Sequence, residues 1–352
     1  MKILVLGGTG AMGTHLVKIL DNKEDDVFVT SREPRKNYNR IHYIQGNAHN
    51  NDFLYPILNK HFDVIVDFMV YNTQEFFVRS KEILENCGQY VYLSSSRVYA
   101  ASEKPITEIS SRLLDVSLDK DFLATDEYSL TKARQENILM NSGFVNWSII
   151  RPYITYSEIR LQLGILEKEQ WLHRALMGKT VFFSRDIAQH QTTITYGLNV
   201  AQGIGSIVGQ EKAFGEAFHI TQDEPCSWLD IWNIYKPIIE IFTQKKAKII
   251  FSDLQSFEKI HSGKYQIEYD RLYNRVFDNR KINQFIDTSN FLRPQDGLKK
   301  CLNEFIKNGM LFSYINYGYD GKVDRKTKEF LPLKNISGIK NLTKYLIRRI
   351  GF

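Results

Sequence analysis

The 352-residue sequence is poor in cysteine and contains no long apolar run. Its three cysteines, Cys87, Cys226 and Cys301, lie far apart and have no close-set cysteine or histidine partner. A disulfide framework needs paired cysteines, and a zinc site needs ligands at short, fixed spacings. We therefore expect structural or incidental thiols, no disulfide framework and no metal site.

The apolar segments all fall short of the roughly 20 residues that a membrane-spanning helix requires. The first segment, residues 1–6, runs straight into glycines, as a buried strand does and a signal peptide does not. Hydrophobic residues make up 43% of the chain and charged residues 24%, which is ordinary for a globular protein. We expect a cytoplasmic protein without a stable membrane anchor.

Positive charge is concentrated in the last part of the chain. The formal net charge is +6, but residues 299–352 hold twelve Lys or Arg against four Asp or Glu, so the preceding residues sum to minus two. Apolar residues at helical spacing stand beside basic ones in this part: Ile339, Leu342, Tyr345 and Leu346 beside Lys340, Lys344, Arg348 and Arg349. This predicts a basic amphipathic tail at 331–352, which docks on the protein or makes weak interfacial contact with an anionic membrane.

Strand-like and helix-like segments alternate through the first half of the chain. The predicted strands are 2–6, 27–30, 41–45, 64–69, 90–93 and 147–150, and the predicted helices are 14–20, 53–59, 76–86 and 128–141. Such alternation predicts the α/β class, with a Rossmann doubly wound parallel sheet. We assign 1–155 to this domain, with returning strands from about 190–223, and 156–190 with 224–330 to a smaller mixed α/β substrate lobe.

A glycine-rich turn follows the first strand and opens a helix. Gly7 permits the tight turn, Gly10 lets the backbone approach a pyrophosphate, and Gly13 allows close packing of helix on strand. The helix N-terminus favours phosphate. The predicted cofactor contacts here are Gly7, Thr9, Gly10, Ala11, Met12 and Gly13.

The end of the second strand has no acidic residue, although an acid there would bind the ribose 2′-hydroxyl of NAD. The chain has Ser31 and Arg32 instead, while Asp25 and Asp26 precede the strand. Arg32 can form charge-assisted hydrogen bonds with a 2′-phosphate, stack on adenine, or stay solvated. We favour NADP over NAD.

Tyr128 and Lys132 stand four residues apart, a spacing that puts both on one face of a helix. A phenol, with a reference pKa of about 10, exchanges protons poorly near neutrality unless nearby positive charge favours its anion. Lys132 can supply that charge, and a serine of the upstream Ser94-Ser95-Ser96 can hold a substrate oxygen. This set predicts a hydride-transfer site.

In this order, the motifs resemble the extended short-chain dehydrogenase/reductase family, which includes the NAD-dependent epimerase/dehydratase enzymes of nucleotide-activated sugars. The resemblance covers roughly residues 1–221. It implies that Tyr128, Lys132 and Ser95 are catalytic, that the substrate is a nucleotide sugar and that the protein is a homodimer. The further cofactor contacts that it implies are Ser31, Arg32, Asn47, Phe68, Lys132, Arg151 and Pro152. The implied substrate contacts are Ser96, Arg97, Tyr153 and Tyr156.

Relatives that dehydrate hexoses carry an Asp-Glu pair where this chain has Ser96 and Arg97. The resemblance therefore disfavours a 4,6-dehydratase and leaves keto-sugar reduction or epimerisation at one ring carbon. One or two of six arginines are expected to grip a diphosphate: Arg160, Arg174, Arg185, Arg271, Arg275 and Arg280.

Two other functions remain open. A nucleic-acid-binding protein could reuse this fold with its basic tail, but the tail lacks interleaved aromatic residues, so we expect no nucleic acid. A sensor could bind NADP(H) without catalysis. An enzyme of surface-polysaccharide assembly could use the tail for docking or for membrane contact.

Overall fold

The computed structural model describes residues 1–21 and 24–351. They form two compact units. Unit 1 comprises residues 1–155, 193–224 and 276–292, and unit 2 comprises 156–192, 225–275 and the remainder from 293.

The secondary structure of the described residues is as follows. The strands are β1 (Lys2–Leu6), β2 (Asp26–Ser31), β3 (Ile41–Gln45), β4 (Phe62–Asp67), β5 (Cys87–Leu93), β6 (Trp147–Pro152), β7 (Thr155–Tyr156), β8 (Gln162–Leu163), β9 (Leu166–Glu167), β10 (Val181–Ser184), β11 (Gln191–Thr192), β12 (Thr195–Tyr196), β13 (Glu216–Ile220), β14 (Cys226–Ser227) and β15 (Ile249–Ser252). The α-helices are α1 (Gly13–Asp21), α2 (Asn51–Leu58), α3 (Thr73–Glu85), α4 (Leu113–Val116), α5 (Lys120–Leu123), α6 (Tyr128–Met140), α7 (Leu172–Leu176), α8 (Arg185–Gln189), α9 (Gly197–Ile207), α10 (Trp228–Thr243), α11 (Leu254–Glu258), α12 (Lys264–Gln266), α13 (Pro294–Lys307), α14 (Tyr317–Thr327) and α15 (Ile339–Ile350).

Unit 1 is built on a seven-stranded sheet in the order β13-β6-β5-β4-β1-β2-β3, and every neighbouring pair is parallel. Alternate strand residues enter two apolar cores. Ile3 and Val5 join one core with α1 and α9, whereas Leu4 and Leu6 join the other with α2 and α3. The parallel strand order and the helices on both faces confirm the predicted Rossmann sheet, and coverage of both faces explains why its central strands are mainly apolar.

The carboxyl ends of the parallel strands lie at one edge of this sheet, as parallel pairing requires. The loops after β1, β2, β3 and β4 are therefore neighbours in space. Asparagine residues cap the helices α2 and α3, which follow the loops after β3 and β4. The Asn50 side chain accepts a hydrogen bond from the backbone N–H of Asp52, and the Asn72 side chain accepts one from the backbone N–H of Glu75. These caps fix where each loop ends and its helix begins.

The chain differs from the sequence prediction in three places. Of the described strands in the returning stretch expected at about 190–223, β11 and β12 do not join the main sheet and β13 alone does. Residues 276–292 belong to unit 1, because Ile282 and Phe291 are buried in one of its cores. The tail belongs to unit 2, where Tyr345 is fully buried against α14, and its last residue, Phe352, lies outside the described residues.

A buried ionic cluster holds the end of unit 2 together. The Arg174 guanidinium lies 2.9 Å from a carboxylate oxygen of Asp320 and 2.6 Å from one of Asp324. The other oxygen of Asp324 accepts from the Tyr345 hydroxyl at 2.6 Å. Arg174, one of the six candidate arginines for diphosphate binding, is thus a structural residue. Within the described part of the chain, no helix has the length and apolar character to cross a membrane.

Candidate active site at the carboxyl edge of the sheet

The glycine turn after β1 has the geometry that its sequence predicts. Gly7 has φ of +67°, a conformation that side chains disfavour. A Cβ on Gly13 would lie 2.7 Å from the Gly8 backbone, so only glycine lets α1 approach the turn this closely. A Cβ on Gly10 would meet no atom within 4 Å, so this position faces open space where a ligand can approach.

A cavity of about 360 Å³ opens beside this turn. Seven predicted cofactor contacts line it: Gly7, Thr9, Gly10, Ser31, Arg32, Asn47 and Phe68. Six lining residues were not predicted: Thr30, Gly46, Ala48, His49, Met69 and Val70. Their place directly at the ends of β2, β3 and β4 is the sequence signal that could have identified them. Ala11, Met12 and Gly13 do not line the cavity; Met12 packs against a core of unit 1.

The end of β2 supports the glycine turn and presents a cation. The Thr30 hydroxyl oxygen accepts from the N–H of Gly7 at 3.1 Å, and the Ser31 hydroxyl donates to the carbonyl of Glu33 at 2.8 Å. Arg32 is exposed at the cavity rim. No carboxylate belongs to the described lining. The cavity therefore suits a nucleotide and does not carry the acid that discriminates against a 2′-phosphate.

Tyr128 begins α6, and its side chain is 37% exposed. Lys132 lies one turn later and is buried, with its ammonium 6.0 Å from the centre of the Tyr128 ring. The ammonium donates to the carbonyl of Leu93 at 2.7 Å and to the Tyr92 hydroxyl at 3.1 Å. Burial lowers the pKa of Lys132 from 10.5 to about 8, against the opposing influence of Asp67 and Glu136. A fixed cation thus stands beside a phenol that solvent can reach.

A buried group of tyrosines lies behind Lys132, and the sequence did not predict it. The carboxylate of Asp67 accepts from the hydroxyls of Tyr71 at 3.0 Å and Tyr90 at 2.8 Å. Burial raises the pKa of this carboxyl, while the two hydroxyls and the Lys132 charge oppose the rise. Tyr92 donates to the side chain of Gln135, which in turn donates to the carbonyl of Tyr71. These bonds fix the hydroxyl that receives the Lys132 ammonium.

Arg97 places a second cation beside the phenol. Its guanidinium carbon lies 5.3 Å from the centre of the Tyr128 ring, and its Nη2 lies 2.5 Å from a carboxylate oxygen of Glu127. A cation over the ring face is favourable. Arg97 and Lys132 therefore both lie within about 6 Å of the Tyr128 ring centre, and the contact with Arg97 could not be deduced from sequence spacing.

The three consecutive serines after β5 have different partners. Ser94 donates to the Glu136 carboxylate at 2.6 Å, and Ser96 donates to the carbonyl of Arg151 at 2.6 Å. The Ser95 oxygen accepts from the N–H of Arg97 at 3.2 Å, as the cap of a short helical turn. Ser95 therefore keeps its own hydroxyl proton to donate, whereas the protons of Ser94 and Ser96 are already committed.

Glu136, one helical turn after Lys132, is fully buried and forms a structural ion pair. Its two oxygens each lie 2.8 Å from a guanidinium nitrogen of Arg151, and one lies 3.1 Å from Arg112. Arg151 also donates to the hydroxyl of Tyr99 and to the carbonyl of Glu108. Its side chain is engaged in these structural contacts and does not line the described cavity, although the sequence prediction placed it among the cofactor contacts.

The remaining predicted contacts are buried. Pro152 ends β6 and has no exposed side chain. Tyr153 packs against Phe277 in unit 1, with ring centres 5.4 Å apart. Tyr156 lies in unit 2, where its ring occupies the space that a Cβ on Gly297 would need. Each of these side chains contributes to packing.

A profile of the NAD dependent epimerase/dehydratase family matches residues 3–162. A search of curated proteins finds no match.

Three enzymes are among the solved structures that share the fold. A UDP-glucuronic acid 4-epimerase from Bacillus cereus, in complex with UDP-glucuronic acid and NAD, is 18% identical, with a TM-score of 0.63 over 88% of this chain and 99% of that chain. A dTDP-glucose 4,6-dehydratase from Bacillus anthracis, in complex with NAD, is 16% identical, with a TM-score of 0.65 over 88% and 97%. The Bordetella bronchiseptica enzyme WbmH, in complex with NAD+, is 13% identical, with a TM-score of 0.66 over 88% and 99%. At such identities the likeness establishes the fold.

Proposed function

We propose that this chain, whose residues 3–162 match the profile of the NAD dependent epimerase/dehydratase family, transfers hydride at one ring carbon of a nucleotide-activated sugar. The observation that carries the proposal is the pairing of an accessible phenol with a buried ammonium, Tyr128 with Lys132. Two known structures of this fold bear nucleotide-sugar enzyme names, which supports the substrate class.

Tyr128 exchanges a proton with the reacting hydroxyl or carbonyl oxygen of the sugar. Lys132 and Arg97 lower the free energy of the phenolate, since both cations lie within about 6 Å of its ring. Ser95 orients the sugar oxygen by donating its hydroxyl proton. Because Leu93 and Tyr92 hold the ammonium in place, the charge needs little reorganisation during the reaction.

A nicotinamide dinucleotide fits the residues of unit 1. The open face of Gly10 and the cavity beside it suit a pyrophosphate and an adenosine. When bound, the nicotinamide supplies or accepts the hydride. Arg32 lies at the cavity rim, and no Asp or Glu is among the described lining residues, which favours NADP. The three related structures contain NAD, which favours NAD.

The residues beside Ser95 disfavour elimination of water. Loss of water from a hexose needs an acid and a base near the sugar. Ser96 is buried and donates to a backbone carbonyl, and Arg97 is a guanidinium engaged with Glu127. We therefore propose a keto-sugar reduction or an epimerisation, although one related structure is a 4,6-dehydratase.

A homodimer through α3 and α6 agrees with the exposed surface of these helices. Phe77 is 62% exposed, Val78 52% and Met140 43%. A mostly apolar concavity of about 530 Å³ lies between the two helices. Exposed apolar surface of this kind is typical of an interface. Light scattering of the wild type and of Phe77→Glu, which should shift dimer to monomer, tests this assignment.

The first experiment is to denature the freshly purified protein and to identify any nicotinamide nucleotide that it releases. Retained NAD at near-equal molar amount would indicate an epimerase, which must keep its cofactor between two opposite hydride transfers. An empty site that binds NADPH would indicate a reductase. UDP-glucuronic acid and other UDP- and dTDP-sugars would then be assayed for epimerisation, and their keto forms for reduction. Binding of neither dinucleotide would refute the proposed function.

A further inference from the structure

Two adjoining cavities of about 610 and 510 Å³ lie on unit 2 and share Ile260, Lys322 and Arg348. Their combined lining contains six cations: Lys259, Lys322, Arg325, Lys326, Lys344 and Arg348. We call this surface the basic groove. No carboxylate belongs to its described lining, and none of the six forms an ion pair with a described carboxylate.

Two helices give the basic groove its shape. Lys322, Arg325 and Lys326 follow one face of α14 at spacings of three and four residues. Lys344 and Arg348 are likewise four apart on α15. Like charges at these spacings repel each other in a helix. An anion bound among them would relieve this repulsion, so the groove has the electrostatics of an anion-binding site.

An apolar stripe borders the basic groove on α15. At 100° per residue, Ile339, Ile347 and Ile350 lie within one sector of the helix, next to the sector of Lys340, Lys344 and Arg348. The three isoleucines are exposed by 84%, 42% and 64%. The buried Tyr345 faces the core, which holds this orientation. Ile347 itself lines the groove, so the apolar and basic features are continuous.

We propose that this surface binds an anionic phospholipid bilayer, with headgroup phosphates in the basic groove and the isoleucine stripe at the boundary of the acyl chains. A helix with one apolar and one basic face lies in the plane of a membrane in this way, without crossing it. The lipid satisfies both features together: phosphates neutralise the cations, and acyl chains cover Ile339, Ile347 and Ile350.

Other occupants satisfy only one feature. A second copy of this surface would cover the isoleucines but oppose cations to cations. A soluble phosphate would neutralise the groove and leave the isoleucines in water. An RNA strand would do the same. Of the two rings in the described lining, Tyr319 is only 6% exposed, and His261 is already stacked on Phe257 with ring centres 5.8 Å apart, so neither forms an open platform for a base.

The test is cosedimentation of the full chain with vesicles of phosphatidylcholine alone or mixed with phosphatidylglycerol. We expect binding to the mixed vesicles only, and a decrease as salt rises. Arg325→Ala combined with Lys326→Ala should weaken binding roughly tenfold or more. Lys236→Ala combined with Lys299→Ala is the matched control, because these exposed lysines of unit 2 lie outside the groove, and it should bind as the wild type does.

A third variant separates the two features. Ile339→Ser combined with Ile350→Ser should lower affinity for the mixed vesicles while keeping the preference for them, and neither exposed side chain is needed for folding. Equal binding to neutral vesicles, an equal loss in the lysine control, or no binding by the wild type would overturn the proposal. Binding of inorganic phosphate or of RNA without vesicle binding would overturn it in favour of that ligand. None of these measurements depends on turnover.

Discussion

The buried cations of unit 1 and those of the basic groove are arranged in opposite ways. Lys132 and Arg151 are buried, and each is held by directed hydrogen bonds to named acceptors. The six cations of the groove form no ion pair with a described carboxylate. A buried charge fixes one geometry but is costly unless it is satisfied, whereas unpaired surface charges attract a distant anion at little cost in stability. The first arrangement suits chemistry and the second suits association.

The largest effect is expected from Tyr128→Phe, which removes the phenol proton and leaves the ring, Lys132 and Arg97 in place. Turnover should fall about 10²- to 10⁴-fold, the usual contribution of a general acid or base. The melting temperature should not change, since the side chain is 37% exposed. Tyr314→Phe, at a 60% exposed tyrosine, is the control. Full activity in Tyr128→Phe would exclude the assigned role.

Glu136→Gln removes the charge partner that Arg151 and Arg112 share. Breaking a buried pair typically costs 3–5 kcal/mol, so we expect a loss of about 3 kcal/mol or more in the free energy of unfolding, measured with urea. Glu85→Gln is the matched control, because Glu85 pairs with Lys81 at 3.6 Å on the surface. It should cost under about 1 kcal/mol. Equal costs would mean that burial does not distinguish the two pairs.

The pKa of Lys132 makes its burial measurable. Between pH 8 and 10.5 the unfolded chain binds more protons at this residue than the folded chain, because its pKa is lowered from 10.5 to about 8. Wild-type stability should therefore rise with pH across this window relative to Lys132→Met, by up to ~3 kcal/mol. Unfolding in urea at several pH values measures it. Parallel pH profiles for the two proteins would show that the ammonium is not desolvated.

Arg32→Ala gives the smallest expected effect, since this guanidinium is exposed at the cavity rim. A charge-assisted hydrogen bond contributes about 1.5–3 kcal/mol, so NADP binding should weaken at least roughly tenfold. NAD binding should change little. Titration calorimetry with both dinucleotides measures the difference. If both weaken equally, Arg32 stacks on the adenine and does not select the 2′-phosphate.

The sequence predicted those features that depend on local pattern. Strands buried on both faces, the glycine turn and the four-residue spacing of Tyr128 and Lys132 each follow from a periodicity or a short motif. Of the ten cavity residues at the ends of β2, β3 and β4, the family resemblance implied four, Ser31, Arg32, Asn47 and Phe68; the other six lie beside them because parallel strands bring their carboxyl ends together.

The remaining features depend on contacts between distant parts of the chain. Asp67 meets the hydroxyl of Tyr90, and Arg97 meets Glu127, through tertiary packing that no local pattern encodes. The return of 276–292 to unit 1 depends on where Ile282 and Phe291 find apolar partners. Arg174 could not be distinguished from a diphosphate ligand until Asp320 and Asp324 were seen beside it.

The hydrogen bond from Tyr345 to Asp324 has a practical consequence. The same carboxylate holds Arg174, so the tail closes over a buried ion pair and is part of the interior of unit 2. Proteolytic removal of α15 would expose the Arg174–Asp324 ion pair to solvent. The rate of that cleavage would measure how often unit 2 opens locally. A truncated chain would be a destabilised protein, and its behaviour could not be ascribed to the loss of an appendage.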